Sequence, residues 1–322
     1  MLSIFGSKNK TLRLGLCLSK RNIALVLLDC SQAGQPKVKD SFYFDFSDAK
    51  GGLSSCQSQL REFVERHNLK NSDCYAVLNK EDYQLLLIEP PEVPEEEVAD
   101  AMRWKVKDLA NVDIESTVIA TFPQPEKKMH YTVVAEKNTL SRVIDFVKEC
   151  NFSLVSIDIE ELSYRNYFEI IAQHKRSRTE NDNNTEHQDS DNVIADHGIA
   201  VISIGENEGK LLIIKGGNLF LSRRFSINYG AGVFDTLPED EIILELQRSL
   251  DYYERQMRQS APAEILFFGA IEDEKITSEM RNSFQQKMTC IDVNLLLGEH
   301  IPNMGIDTTL LLSGAALRGM AA

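Results

Sequence analysis

One pattern occurs twice in this chain, and it limits the possible folds more than any other feature. The stretch from Gly198 to Ile227 holds three apolar, β-prone runs divided by turn residues. Ile199–Ile204 is the first, and Gly205-Glu206-Asn207-Glu208-Gly209 turns the chain back. Lys210–Ile214 is the second, and Gly216-Gly217-Asn218 leads into the third, Leu219–Ile227. Short β-prone runs joined by Gly/Asn turns make a three-stranded meander. Residues 12–46 repeat it, as Leu12–Leu18, a turn at Ser19-Lys20-Arg21-Asn22, Ile23–Asp29, a loop from Ser31 to Pro36, and Val38–Phe46. Each meander is followed by an amphipathic helix and another strand. The expected fold is therefore a duplicated α/β fold, two βββαβ-type domains around a cleft.

Behind the first meander, Leu53, Cys56, Leu60, Phe63 and Val64 fall at spacings of three and four, one apolar face of a helix ending near His67. Cys74–Leu78 and Tyr83–Ile88 read as strands. Pro90, Pro91 and Pro94 then stop the pattern, since proline cannot join a helix interior or a central strand. Glu95-Glu96-Glu97 opens a helix in the sense that its dipole favours, with Val98, Met102, Lys105 or Val106, and Leu109 along one side. Thr117–Phe122, His130–Ala135, a helix over Thr139–Cys150 and a strand over Phe152–Ile159 complete a small α/β insert at 92–159. A helix from Leu162 to Ala172 returns the chain, so the first domain spans 1–91 and 160–173.

Residues 174–196 are polar and offer almost nothing to bury against their ordering entropy, which predicts a mobile loop. The second domain covers 197–322. Its long helix begins at Leu237-Pro238, and Ile242, Ile243, Leu246, Leu250, Tyr253 and Met257 form the buried stripe. A strand at Ile265–Phe268, a helix from Glu274 to Gln286, an edge strand at Cys290–Val293 and a last helix from Thr309 to Met320 follow. The small residues Ser313–Ala316 suit that last helix to close packing.

Several function classes are disfavoured. A net charge of −14 argues against nucleic acid, which needs clustered Lys and Arg. The six cysteines lack CxxC spacing and read as reduced, buried thiols, and the six histidines show no ligand spacing, so no metal site is expected. No run approaches the ~20 apolar residues of a membrane span. Met1–Phe5 with Lys8 and Lys10 reads as a frayed terminus too short to anchor. No Gly-x-Ser-x-Gly or Walker-type loop occurs. Asp158, Glu160 and Glu161 are explained by a strand end beside a helix start, and Arg223-Arg224 by a solvated strand edge. Trp104, the only tryptophan, is expected to pack one side of its helix. The alternative is that it lines a groove for a partner's segment, a task suited to its large area and low entropy cost.

The order of meander, insert, second meander, long helix, strand-Gly-helix and terminal Gly-Ala-Ala-Leu-Arg-Gly resembles a known family. It is that of the actin-like cytoplasmic proteins of type IV pilus assembly, the PilM class, and most of all the MshI proteins of mannose-sensitive haemagglutinin (MSHA) pilus biogenesis. The best local matches are Ile88-Glu89-Pro90-Pro91, Arg103–Leu109, Val155–Glu160, Leu246–Tyr253 and Ala316-Leu317-Arg318-Gly319. The resemblance covers nearly the whole chain and implies a duplicated actin-like, RNase H-like fold.

It also implies where nucleotide chemistry would sit. Actin-like ATPases hold phosphates with two hairpin turns, each usually carrying an Asp that positions hydrated Mg²⁺. A hard cation wants carboxylate oxygens, and the N–H groups of a Gly turn suit phosphate. Here the two Asp positions are Cys17 and Ser203, and the usual Gly of the first turn is Ser19. Gly205 remains, and the purine-side Gly-Gly is Gly269-Ala270. With both carboxylates missing, the metal has no seat against the phosphates. The resemblance thus implies no catalytic residue and no metal. It leaves at most weak ATP binding in a vestigial cleft of Gly15, Cys17, Ser19, Ser203, Gly205 and Gly269.

The implied partner is the N-terminal cytoplasmic tail of a single-pass inner-membrane pilus assembly protein, bound where the first domain meets the insert. Tyr83, Trp104 and Leu109 are the expected contacts, and the assembly ATPase is a further implied partner. The implied location is the cytoplasm, peripheral to the bacterial inner membrane. The alternative is a working ATP-binding ATPase of the actin and sugar-kinase type. A third reading is a type II secretion cytoplasmic domain, which the lack of a transmembrane run disfavours.

Overall fold

A computed structural model of the chain describes residues 11–32, 36–110, 113–126, 128–181, 197–205, 208–227, 239–269, 278–291 and 304–320. Residues 1–10, 182–196, Leu237, Pro238, Ala270, Glu274 to Thr277, and Asp292 with Val293 lie outside them.

Both meanders form as expected. The first is β1 (Leu12–Leu18), β2 (Asn22–Asp29) and β3 (Lys37–Asp45); the second is β9 (Ile199–Ile204), β10 (Glu208–Lys215) and β11 (Asn218–Ser226). Each is extended by two parallel strands, β4 (Asp73–Val77) and β8 (Ser153–Asp158) in the first sheet, β12 (Glu264–Gly269) and β13 (Lys287–Cys290) in the second. The sheet orders are β3-β2-β1-β4-β8 and β11-β10-β9-β12-β13, so the duplication is one of topology. It reaches single residues. Strand pairing slips between Leu27 and Leu28 in one copy and between Ile213 and Ile214 in the other, leaving Lys39 and Phe220 as the extra residues of equivalent bulges.

The helices between the two sheets are α4 (Glu160–Asn181) and the last helix, α7 (Ile306–Ala316). They share one core with the inward residues of both sheets, including Cys17, Ala24, Val201, Leu212, Phe168 and Leu312. Close approach rests on two glycines. A Cβ on Gly15 would stand 2.1 Å from the Leu312 carbonyl oxygen, and one on Gly314 2.0 Å from that of Ser163. The end of α7 is held by Arg13, which donates to the carbonyl of Ala316 at 2.7 Å, and by Arg318, which pairs with Asp158 at 2.8 Å.

On the outer side of the first sheet, α1 (Gln57–Arg66) packs through Leu60, Phe63 and Val64. The second sheet is covered by α5 (Glu239–Asp251), which runs into a π turn at Tyr252–Gln256, and by a short α6 (Ser278–Asn282). Ile242, Leu246, Leu250, Tyr253 and Met257 are buried as the helical spacing predicts.

The insert has different edges from those expected. Tyr83–Ile88 (β5) does not join the first sheet. It pairs with β7 (His130–Glu136), which pairs with β6 (Thr117–Pro123), in a separate antiparallel sheet. Phe152–Ile159 contributes β8 to the first domain instead of closing the insert. The insert therefore runs from Tyr83 through α2 (Val98–Ala110) to α3 (Lys137–Glu149), shifted from 92–159. The reason is pairing capacity: a run of β5's length is completed by the hairpin β6–β7, while the apolar β8 has β4 free beside it. The polar stretch also differs, since α4 continues through residues 174–181. Once a helix is nucleated each further residue adds a bond, and Lys, Arg and Glu do not oppose it.

Within α2, Met102 and Val106 are fully buried against Ile88 and Val134. Trp104 and Leu109 are 70% and 65% exposed, so neither is core. Among the described residues no helix is long and apolar enough to cross a membrane, and no cluster of His, Cys, Asp and Glu has the makings of a metal site.

Candidate functional site

Cys17 and Ser203 are next to last on β1 and β9, and both turn to the inner face where the halves meet. Between them lies a cavity of about 440 Å³, reached also by Gly205, Asn79, Tyr43 and the first turn of α7. A cavity therefore lies where the cleft was expected, but the residues expected to line it have divided roles. Gly15 serves helix packing, as described above. Gly269 ends β12 beside Ile204, and Ala270 lies outside the described residues.

Ser19 has turned inward on its own hairpin. Its hydroxyl accepts from the backbone N–H groups of Arg21 at 3.1 Å and Asn22 at 2.9 Å, while its own N–H donates to the Asn22 carbonyl at 2.9 Å. Three N–H groups that could cradle a phosphate are already satisfied. In the second turn the Gly205 N–H donates to the Glu208 carbonyl at 3.0 Å.

The centre of the cleft is occupied by a side chain that sequence reading passed over. Lys210 sits opposite Ser203 on β10, as Ala24 sits opposite Cys17 on β2. A methyl in one copy thus faces an ammonium in the other. Lys210 is 8% exposed, donates to the carboxylate of Glu160, and lies over the ring of Tyr164. The signal was a lysine at an inward position next to the apolar run Leu211–Ile214.

Glu160 and Glu161 are not the solvated helix start that their position in sequence implied, since both are buried. Nor is Arg224 a solvated edge. Its Nη2 donates to Glu161 at 2.9 Å, to Glu160 at 3.2 Å and to the Tyr83 hydroxyl at 3.2 Å, and its Nη1 to Glu208 at 3.3 Å. Lys80 donates its ammonium to Glu208 at 3.1 Å and its backbone N–H to Glu160 at 3.1 Å. Three carboxylates meet three cations, and the cluster is neutral.

The ionisation follows from this arrangement. Burial raises Glu160, but Lys210 and Arg224 outweigh it and hold the carboxyl below its usual range. Asp307, in the first turn of α7, is pushed up to about 6, by burial first and then by Glu160, against Lys210 and a bond from Ser203. Burial pushes the Cys17 thiol up to about 12, with Glu160 adding to it, so no thiolate nucleophile forms there.

A second concavity lies elsewhere. Between α1 and α3, where the first domain meets the insert, a groove of about 340 Å³ has Leu60, Val64 and Phe146 at its base and Leu53 and Cys150 beside them. Arg61, Lys70, Glu65 and Glu149 stand around its rim. The expected partner contacts do not gather here. Tyr83 is buried, with its hydroxyl donating to Glu161 at 2.5 Å. Trp104 and Leu109 are on α2, which packs on the opposite face of the insert's sheet from the core that α3 shares.

No protein-family model matches the chain, and no curated protein matches it. Solved structures do. A chain of a PilM-PilN type IV pilus biogenesis complex superposes with a TM-score of 0.64 at 15% identity, over 96% of this chain and 98% of that one. A Bacteroides thetaiotaomicron protein with an actin-like ATPase fold and unknown function gives 0.51 at 13% identity, over 97% and 99%. The fold is actin-like.

Proposed function

We propose that the chain is a non-catalytic adaptor of a type IV pilus assembly machine, of the MSHA type that its motifs resemble. In this reading it works in the cytoplasm against the inner membrane. It grips an extended cytoplasmic tail of a single-pass membrane partner in the groove between α1 and α3, and the assembly ATPase contacts another face. The cleft between the halves is a relic without turnover.

The observation that carries the reading is the Lys210–Glu160 pair at the centre of the cleft. Phosphoryl transfer is almost wholly positioning and charge neutralisation, supplied by a metal and by donors aimed at the phosphates. Here the cationic side chain is already neutralised, the first turn spends its donors on Ser19, and Cys17 and Ser203 offer no carboxylate. A nucleoside triphosphate would bring several negative charges to a neutral cluster. The apolar base and mixed-charge rim of the groove instead suit a peptide with one or two apolar anchors. The fold's likeness to a chain of a PilM-PilN complex agrees with a tail-binding role.

The test is to find where the tail lies. A copy of the partner's cytoplasmic tail carrying a photo-crosslinker is expected to label α1 and the segment Phe146–Asn151. Labelling confined to α2 around Trp104, or to the cleft, would contradict the reading.

A further inference from the structure

Besides an exposed bond from Gln259 Nε2 to Glu126 at 2.7 Å, two attachments set deeper in the fold fasten the insert to the second half of the molecule. The first is Arg224. Its Nη2 bonds Glu161 at the start of α4 and the hydroxyl of Tyr83, the residue that begins the insert's first strand. The second is the bulge on β11. Phe220 is the extra residue there, and its carbonyl, turned out of the ladder, accepts from Gln124 Nε2 at 2.8 Å and from the Tyr131 hydroxyl at 3.1 Å. Both donors belong to the β6–β7 hairpin of the insert, and both bonds are buried.

These points bear on the groove. One wall, α1, belongs to the first domain, and the other, α3, follows directly from β7 of the insert. The spacing of the walls therefore depends on how the insert is seated. We infer that the second half seats the insert through Arg224 and the Phe220 carbonyl, and so sets the width of the groove between α1 and α3. Arg224 acts as a positioning residue, remote from the groove it shapes. This assigns to the second half a task that needs no nucleotide. It rests on the adaptor reading only in naming the groove's occupant.

Hydrogen exchange resolved by peptide tests it on the full chain with nothing bound. Arg224→Met removes the guanidinium fork, and Gln124→Leu with Tyr131→Phe removes the neutral bonds while keeping side-chain size. Either variant is expected to speed exchange in β5, β7 and α3 about tenfold, as local opening follows lost local bonds, while β9, β10 and β12 stay protected. If Arg224→Met does not fold, the neutral double variant decides. Unchanged exchange in the insert, or an equal rise in β9, β10 and β12, overturns the inference. Because no peptide is used, that failure would leave the adaptor reading standing.

Discussion

The ammonium of Lys210, on β10, donates to the carboxylate of Glu160, at the start of α4, and the bond joins the two copies of the duplicated fold through two buried side chains. A buried pair contributes little beyond an apolar pair of the same size, yet removing one partner leaves an uncompensated charge. Glu160→Gln is expected to cost about 3 kcal/mol in urea unfolding. Lys210→Met combined with Glu160→Leu should recover most of that loss. A single variant as stable as the parent would show that the charges are not coupled.

Asp307 gives stability a pH dependence of defined sign. Its carboxyl titrates near 6 in the folded chain, above the ordinary value of 3.8, so the folded state binds that proton more tightly than the unfolded state. Ionisation therefore costs stability, a cost absent below pH 3.8 and complete above about 6. At about 1.4 kcal/mol per unit the full cost is on the order of 3 kcal/mol. Asp307→Asn should stabilise the protein at pH 8 and lose that advantage as the pH falls from 6 towards 4. A gain that is the same at pH 4 and pH 8 would mean that the carboxyl is not desolvated.

Gly15 and Gly314 should behave as packing residues. Adding a methyl at either drives it onto backbone oxygen, and overpacking of this kind costs about 1–3 kcal/mol. Gly15→Ala and Gly314→Ala are each expected to lower the unfolding midpoint. Gly51→Ala, whose Cβ meets nothing closer than 3.5 Å, should stay within about 0.5 kcal/mol. Equal effects at all three positions would refute the close approach of α7 to β1 and α4.

Purified protein should show no Mg²⁺-dependent ATP turnover. Cys17→Asp with Ser203→Asp is expected to leave it inactive, because the Ser19 hydroxyl still holds the N–H groups of the first turn. Turnover by the wild-type chain that Gly205→Val abolishes would sink this claim.

Much of the architecture was legible in the sequence because strand and helix periods are local. The near-continuous burial of β1, β2, β9 and β10 could be read from their apolar runs, and so could the stripe on α5. Pairing partners are not local, which is why β5 and β8 were placed in the wrong sheets. The cleft's position followed from the duplicated turns, and Cys17, Ser203 and Gly205 do line it. What fills it was missed. Glu160, Glu161 and Arg224 are charged residues at or near element ends, where exposure is the usual outcome, and the packing of one half on the other buries the two carboxylates and half-buries the guanidinium. The core reading of Trp104 failed for the converse reason. It occupies the side of α2 opposite Met102 and Val106, and its size argued for burial more strongly than its position did.

The most direct test of the account is a calorimetric titration of the partner's cytoplasmic tail, as a synthetic peptide, into the full chain without nucleotide. The account predicts micromolar binding, about −8 kcal/mol, since an extended peptide offsets part of its contact energy by ordering. Leu53→Glu, which puts a charge beside the apolar base of the groove, should weaken binding by ~2 kcal/mol or more, and Trp104→Ala should leave it unchanged. No binding by folded wild-type protein, or binding lost with Trp104→Ala and kept with Leu53→Glu, would contradict it.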